Sequence, residues 1–319
     1  MSNTILRPSS HDEWMALRAD GIGSSEVGTI LGLNPFETPY QLWRRKIGID
    51  PPKEQNFAMR AGHYLEDAVS LFYHDETGKE IIKASAGDWI IRSNERPFMQ
   101  VSPDRTFWLP GQSKSASNKG ILECKTTQME VDADSVPQHW FAQLQYQLGV
   151  AELPQGALAW LTMGRSFGYR DFEFDQEFFD YMAEEVTRFW VDNIQGKQEP
   201  LLMNVDDVLL RNPRHVVGKS VQADPELAEN CRILKEIKEE LAALDTRKKE
   251  LEAIIKMAMG DAEALVAPAD GISRPLVLAT WKAAKDSLKF DEKKLAAEMP
   301  DVYASFQFTQ PGSRRFLLK

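Results

Sequence analysis

The residues best suited to chemistry are Asp104, Glu123 and Lys125. In Ile121-Leu122-Glu123-Cys124-Lys125 an apolar pair leads into a carboxylate, one residue is skipped, and an amine follows. On a strand, side chains alternate faces, so Glu123 and Lys125 project to the same side about 6–7 Å apart along the backbone. Ile121 shares that face, and Leu122 and Cys124 take the other. An acid and an amine in a buried strand are costly to desolvate unless they partner something. Upstream, Ser102-Pro103-Asp104 sets a second carboxylate at a turn. Hydrolysis of a phosphodiester needs a nucleophilic water, relief of charge on the phosphate, and help for the leaving oxygen, much of which one or two Mg²⁺ ions supply. Mg²⁺ takes oxygen ligands and keeps several waters. Asp104 and Glu123 suit shared ligands, and the Cys124 backbone carbonyl offers a further oxygen. Lys125 suits orienting or deprotonating the attacking water, or stabilising transition-state charge.

Each piece alone is ordinary. A lone E-x-K on a strand is usually a surface pair, and P-D is a turn signal. Two further polar residues extend the set. Glu66 sits beside the apolar stripe of a helix, as an additional ligand or the holder of a metal-bound water. Gln143 lies in Trp140-Phe141-Ala142-Gln143-Leu144-Gln145-Tyr146-Gln147, an otherwise apolar helix, with Gln147 four residues on along the same face. The order is a helix carboxylate, a strand ending in P-D, a hairpin, an apolar-apolar-E-x-K strand and a glutamine-bearing helix, which is the PD-(D/E)xK layout. Nearer the N-terminus, Gly21-Ile22-Gly23-Ser24-Ser25-Glu26-Val27 runs small residues into an apolar helix, with Ser24 or Ser25 as its N-cap. Such a terminus is either a plain capped turn or a seat for an anion.

The elements that must position these residues follow from periodicity and punctuation. Thr38 caps a helix with Pro39 at its first position, running from Tyr40 to Ile47. Its Arg44, Arg45 and Lys46 form either a solvated face or a backbone-contacting patch. A helix spans Ala58 to Thr77. Strands follow at Glu80–Ala84, Trp89–Arg92, Phe98–Val101 and Arg105–Leu109, read as an antiparallel meander. Next come the strand Ile121–Thr126, a helix from about 137 to 150, strands Gly156–Met163 and Tyr169–Phe174, and a helix from 176 to 193. After Pro200 the texture changes. Residues 224–258 form one long charged helix with Leu227, Leu234, Ile237, Leu241, Leu244, Leu251 and Ile255 near heptad a and d positions, interrupted by Lys248. It either packs on its own C-terminal tail or presents an interhelical seam or partner surface. The tail from Gly271 to Lys319 reads as a small α+β appendage: strand Leu276–Trp281, helix Asp291–Glu298, strand Arg314–Leu318.

Composition sets outer bounds. The 319 residues, 43% hydrophobic and 27% charged, suit one large domain or two modest ones. No run of eighteen apolar residues marks a membrane span. Cys124 and Cys231 are the only cysteines, too few for a four-cysteine zinc or iron–sulfur site, and a reduced cytoplasmic compartment is expected. A net charge of −10 argues against nonspecific coating of nucleic acid but leaves a carboxylate-rich nuclease site open.

Three stretches together resemble the YqaJ-type viral recombinases, in the superfamily of phage lambda exonuclease. They are Arg18 with Gly21-Ile22-Gly23-Ser24-Ser25-Glu26-Val27 and Ile30-Leu31-Gly32-Leu33-Asn34-Pro35; Gly62-His63-Tyr64-Leu65-Glu66; and Asp104, Leu122-Glu123-Cys124-Lys125 and Ala142-Gln143-Leu144-Gln145-Tyr146. The match covers about residues 10 to 190. The resemblance implies an α/β fold with a restriction-endonuclease-like core, a central mixed sheet flanked by helices, in residues 1–200. Residues 201–319 are then a C-terminal helical, coiled-coil extension with the small α+β tail. It implies Mg²⁺-dependent 5′→3′ resection of linear double-stranded DNA ends, leaving a 3′ single strand for recombination by strand annealing. Two Mg²⁺ ions are implied, with Mn²⁺ as a substitute. By position, Asp104 and Glu123 match metal ligands, Lys125 the catalytic lysine, Glu66 the additional acid and Gln143 the motif glutamine, and Arg18 and Ser25 hold the 5′-phosphate. A homo-oligomer is implied, trimeric as in lambda exonuclease, working beside a single-strand annealing protein in a bacterial cytoplasm, with the heptad helix one candidate dock. An endonuclease of the same fold and a DNA-end-binding recombination scaffold are the competing readings.

Overall fold

The computed structural model describes residues 3–82, 89–162, 165–267, 276–310 and 312–318. Its elements in chain order are β1 (Asn3–Leu6), α1 (His11–Ala19), β2 (Ile22–Gly23), α2 (Ser24–Ile30), α3 (Pro39–Lys46), α4 (Phe57–Thr77), β3 (Ile81–Ile82), β4 (Ile90–Ser93), β5 (Met99–Val101), β6 (Arg105–Trp108), β7 (Lys119–Thr127), α5 (Gln138–Ala151), β8 (Gln155–Thr162), β9 (Ser166–Glu173), α6 (Gln176–Arg188) with a π-helical continuation over Phe189–Gln195, α7 (Val205–Arg211), α8 (Pro225–Met259), β10 (Ala264–Val266), β11 (Val277–Thr280), α9 (Glu292–Glu298) and α10 (Pro300–Ser305). Lys83, Ala84, Met163 and Gly271–Pro275, which the sequence reading places in strands or the tail, lie outside the described residues.

The central sheet is mixed, with strand order β3-β6-β7-β8-β9. β7 pairs antiparallel with β6 and parallel with β8. The parallel step needs a crossover, which α5 supplies. The alternation along β7 is resolved as its sequence predicts. Leu122 and Cys124 pack with Val69 and Tyr73 of α4, while Ile121 packs with Leu144 and Leu148 of α5. A sheet covered on both faces buries near-continuous apolar strands, and β8 accordingly reads Ala157-Leu158-Ala159-Trp160, all buried. This is an α/β core, a central mixed sheet flanked by helices, as the resemblance implies.

The single antiparallel meander is not formed. β4 and β5 leave the central sheet and join β1 and β2 in a second one, ordered β1-β4-β5-β2. Alternation of apolar residues identifies strands, not their neighbours, and β1 carries too few apolar residues to be recognised. The Ser102-Pro103-Asp104 turn therefore carries the chain from one sheet to the other. The second sheet packs Ile22, Ile91, Met99 and Val101 against Val27, Tyr146, Val150, Met182 and Phe189.

The chain divides into two compact units, Met1–Arg211 and Asn212–Lys319. α7 stays with the first because fully buried Asp207 accepts hydrogen bonds from Thr38 Oγ1 at 2.7 Å and Met203 N–H at 2.8 Å. The second unit holds α8, the antiparallel pair β10–β11, and α9 and α10. Arg314–Leu318 forms no strand. Arg314 donates to the Asn212 carbonyl at 3.1 Å, and the β10–β11 sheet gains no third strand among the described residues.

Candidate active site

Asp104, Glu123, Lys125 and Gln143 converge where β6 leaves β7. The β6–β7 ladder ends at the Arg105–Leu122 pair. Beyond it, Asp104 Oδ2 accepts the Cys124 N–H at 2.8 Å, so a side chain replaces the next rung. The N–H and C=O of one strand residue face the same edge, and the Cys124 carbonyl therefore faces the opened edge beside Asp104. Glu123, 3% exposed, points toward α5. Its Oε1 accepts from Lys125 Nζ at 2.7 Å and from Gln143 Nε2, and Gln143 Oε1 accepts from Lys125 Nζ at 2.7 Å. Lysine, glutamate and glutamine thus close a three-membered ring. One turn on, Gln147 Nε2 donates to Glu123 Oε2 at 2.8 Å and to Ser24 Oγ at 3.2 Å.

The charges are unbalanced. Burial, then the nearby charges of Glu123 and Glu66, push Asp104 well above the usual carboxylate range, although it keeps partial solvent contact. Burial also raises Glu66, with His63 and Arg105 pulling it back and Glu123 adding to the rise. Burial alone would lower Lys125. Glu123 and Asp104 outweigh that and raise it, so Lys125 is held as a cation. A protonated lysine in this setting stabilises anionic charge and does not accept a proton. Glu66 is turned aside: His63 Nδ1 lies 3.2 Å from its Oε1, and Arg105 Nη1 lies 3.7 Å from its Oε2. Among the described residues no three His, Cys, Asp or Glu side chains are gathered tightly enough to hold a metal as they stand. The donor set nonetheless fits a hard divalent cation: oxygen ligands only, with Asp104 and Glu66 both raised by burial and by the neighbouring Glu123 charge.

The glycine–serine segment forms the neighbouring wall. The N-cap of α2 is Gly23, not a serine, because Glu26 reaches back to accept the Gly23 N–H at 2.9 Å. That frees both hydroxyls. Buried Ser24 meets Gln147, and exposed Ser25 accepts from Arg18 Nη2 at 3.3 Å. Arg18 also lies 4.5 Å above the Trp14 ring. A recess of about 120 Å³ is lined by Arg18, Ser24 and Ser25 as well as by Asp104 and Gln143.

The basic trio on α3 is not a solvated face. Arg44 pairs with Asp50 at 2.7 Å, and Arg45 with Glu37 at 3.1 Å and Glu26 at 3.4 Å. Buried Lys46 donates to the Gly21 carbonyl at 2.6 Å and pairs with Glu26 at 2.8 Å. These contacts hold the Arg18–Ser25 segment from beneath. Sequence reasoning missed them, as it missed the role of Gln147. For Gln147 the i, i+4 spacing from Gln143 was the available signal.

Residues 13–154 match the YqaJ-like viral recombinase domain. The YqaJ protein of Bacillus subtilis (strain 168) is 32% identical over 322 residues, covering 97% of this chain and 94% of its own. The chain belongs to the YqaJ-like viral recombinase family. The matched domain contains every site residue named above, and the likeness to the B. subtilis YqaJ protein runs on through most of the second unit. Among solved structures, the alkaline exonuclease LHK-Exo from Laribacter hongkongensis superposes with a TM-score of 0.47 at 18% identity, over 58% of this YqaJ-like chain and 93% of its own. A phage related exonuclease from Haemophilus somnus 129PT gives 0.38 at 13%, over 56% and 96%.

Proposed function

We propose that this YqaJ-like protein is an Mg²⁺-dependent exonuclease that resects linear double-stranded DNA 5′→3′, leaving a 3′ strand for annealing. The observation that carries the reading is the ring of Lys125, Gln143 and Glu123 beside Asp104, opening onto the same recess as Arg18 and Ser25. Asp104, Glu123, the Cys124 carbonyl and, after turning from His63, Glu66 would hold the metal. Bound Mg²⁺ supplies charge relief at the phosphate and lowers the pKa of water. Lys125, kept protonated by Glu123 and fixed by Gln143, faces the anionic phosphoryl oxygens and stabilises the charge that builds there. Arg18 and Ser25, with Ser24 behind them, bind the terminal 5′-phosphate. This sets how far the scissile bond lies from Lys125 and so gives direction to digestion. The nuclease chemistry belongs to the first unit. A ring-shaped trimer, a single-strand annealing partner and a phage or prophage setting in a bacterial cytoplasm complete the reading.

Digestion of linear duplexes with and without a 5′-phosphate, beside a covalently closed circle, tests it. Mg²⁺-dependent shortening of the 5′-phosphorylated strand, an intact circle, and loss of at least about a hundredfold in rate for Lys125→Ala are expected. Nicking of the circle would replace the proposal with an endonuclease. Binding of ends without cleavage would replace it with an end-binding scaffold.

A further inference from the structure

Helix α8 is 35 residues long, roughly 50 Å at 1.5 Å per residue. Its start is well specified, with Pro225 in the first turn and Asp224 accepting the Leu227 N–H at 2.7 Å. What it lacks is cover. Leu227, Ile237, Leu241, Leu244, Leu251 and Ile255 are 40–63% exposed. Within the second unit, no other described helix or strand packs along α8, and Met259 is the one fully buried apolar side chain among that unit's described residues. Helices draw most of their stability from burying an apolar face, so this seam calls for a partner.

The spacing states what kind. With Leu227 at a, the a positions are Leu227, Leu234, Leu241, Lys248 and Ile255, and the d positions Asn230, Ile237, Leu244, Leu251 and Ala258. A 3.5-residue repeat sustained this long fits another helix of the same repeat. The flanking residues choose the orientation. In a parallel pair, g faces e of the other helix, which sets Glu240 against the partner's Asp245 and Ile233 against the partner's Lys238, so that the attraction of Arg247 for the partner's Glu252 is offset by the acidic pair. In an antiparallel pair, g faces g and e faces e. Centred between Ala242 and Ala243, that arrangement sets Arg247 on the partner's Glu240, Asp245 on the partner's Lys238, and Ile254 on the partner's Ile233. The core layers then stack Leu241 on the partner's Leu244 and Leu234 on the partner's Leu251. Sliding by one heptad brings either Glu240 onto the partner's Glu240 or Arg247 onto the partner's Arg247, so like charges reject both neighbouring registers.

We propose that α8 is a self-association surface that pairs antiparallel with α8 of a second copy about a two-fold axis between residues 242 and 243. Such a contact is isologous and closes on itself. Within one chain Asp245 pairs with Lys249 at 2.6 Å, and Lys238 lies 5.8 Å from the centre of the Phe316 ring. Exposed contacts of this kind are weak and exchange readily. The polar core residues Lys248 and Asn230 meet the partner's Ile237 and Ile255, trading some stability for a fixed register. This pairing is independent of the nuclease reading, and if the first unit closes a ring, α8 joins rings in pairs.

Sedimentation velocity of the full chain, together with cysteine cross-linking in a Cys231→Ser background, tests it. Wild type is expected to form assemblies of even subunit number. Arg247→Glu is expected to weaken self-association about tenfold, since two attractive pairs become repulsive, and Glu240→Arg in the same chain to restore it. Chains carrying Leu234→Cys and chains carrying Leu251→Cys should cross-link to each other, and neither to itself. A monomer at tens of micromolar, an odd-numbered assembly indifferent to Arg247→Glu, or self-cross-linking of the Leu234→Cys chain would each overturn the proposal.

Discussion

Replacing Lys46 with methionine tests how the Arg18–Ser25 segment is held. The Lys46 and Glu26 side chains are only 7% and 11% exposed and lie 2.8 Å apart. Removing one member of a buried pair typically costs about 3–5 kcal/mol, because the other charge is left behind. Here Glu26 keeps Arg45 at 3.4 Å and the Gly23 N–H, so the lower end, about 3 kcal/mol, is expected. With a urea m-value of about 2 kcal/mol/M, the unfolding midpoint falls by about 1.5 M. Adding Glu26→Gln to Lys46→Met removes the stranded charge and should recover most of that loss. The bond to the Gly21 carbonyl also disappears, and Arg18 loses its support. On the proposed function, the rate advantage of 5′-phosphorylated over 5′-hydroxyl ends should then fall about tenfold, the equivalent of about 1.4 kcal/mol. A midpoint shift under about 0.3 M would refute the energetic argument. A folded variant with wild-type end preference would refute the positioning argument.

Three further outcomes are expected. Gln147→Leu removes the amide donor to Glu123 and Ser24 together with a buried Oε1 that has no partner. Lost and relieved terms are both about 1–3 kcal/mol, so the melting temperature should hold within a few degrees while digestion slows about tenfold or more; an equal loss of both would show a merely structural role. A Cβ at Gly149 would lie 2.1 Å from the Phe179 ring, so Gly149→Ala should cost about 1–2 kcal/mol after its gain in helix propensity, seen in thermal unfolding as a drop of several degrees. Burial would raise Glu26, but Lys46, the Gly23 N–H and Arg45 together leave it below its ordinary value. A depressed folded value gives stability that is present above the unfolded carboxylate pKa and lost as pH falls through the folded one. The gap in denaturant midpoint between wild type and Glu26→Gln should therefore narrow below about pH 4, and a gap that widened there would reverse the assigned sign.

What could be read beforehand was what depends on near neighbours in the chain. Period-two alternation set Glu123 and Lys125 on one face of β7 with Ile121, and the structure places Ile121 against α5 and Lys125 Nζ at 2.7 Å from Glu123. The Thr38 cap and Pro39 likewise fixed the start of α3. What escaped depends on pairing across long separations. Arg44, Arg45 and Lys46 look alike in sequence, yet Arg44 pairs with Asp50 while Arg45 and Lys46 meet the buried glutamates Glu37 and Glu26, and only the fold brings those glutamates beneath them. The meander failed for the same reason. β4 and β5 have the alternation of central strands, but nothing local says which edge they join.

The site itself shows why a motif is more legible than its mechanism. Asp104 was recognisable from its place before E-x-K, but its work in the fold, replacing a rung of the ladder at the Cys124 N–H, needs β6 to stop pairing at Leu122. That break leaves Asp104 at an open edge, where a buried carboxylate is costly and a cation would be welcome. Gln147 adds the second constraint. One amide group holds both Glu123 and Ser24, so the residues read as metal ligands and those read as the end-phosphate seat cannot shift independently. On the function proposed above, direction would follow from rigidity: a 5′ end anchored at Arg18 and Ser25 and a fixed Lys125 would leave the DNA strand one bond to present for cleavage.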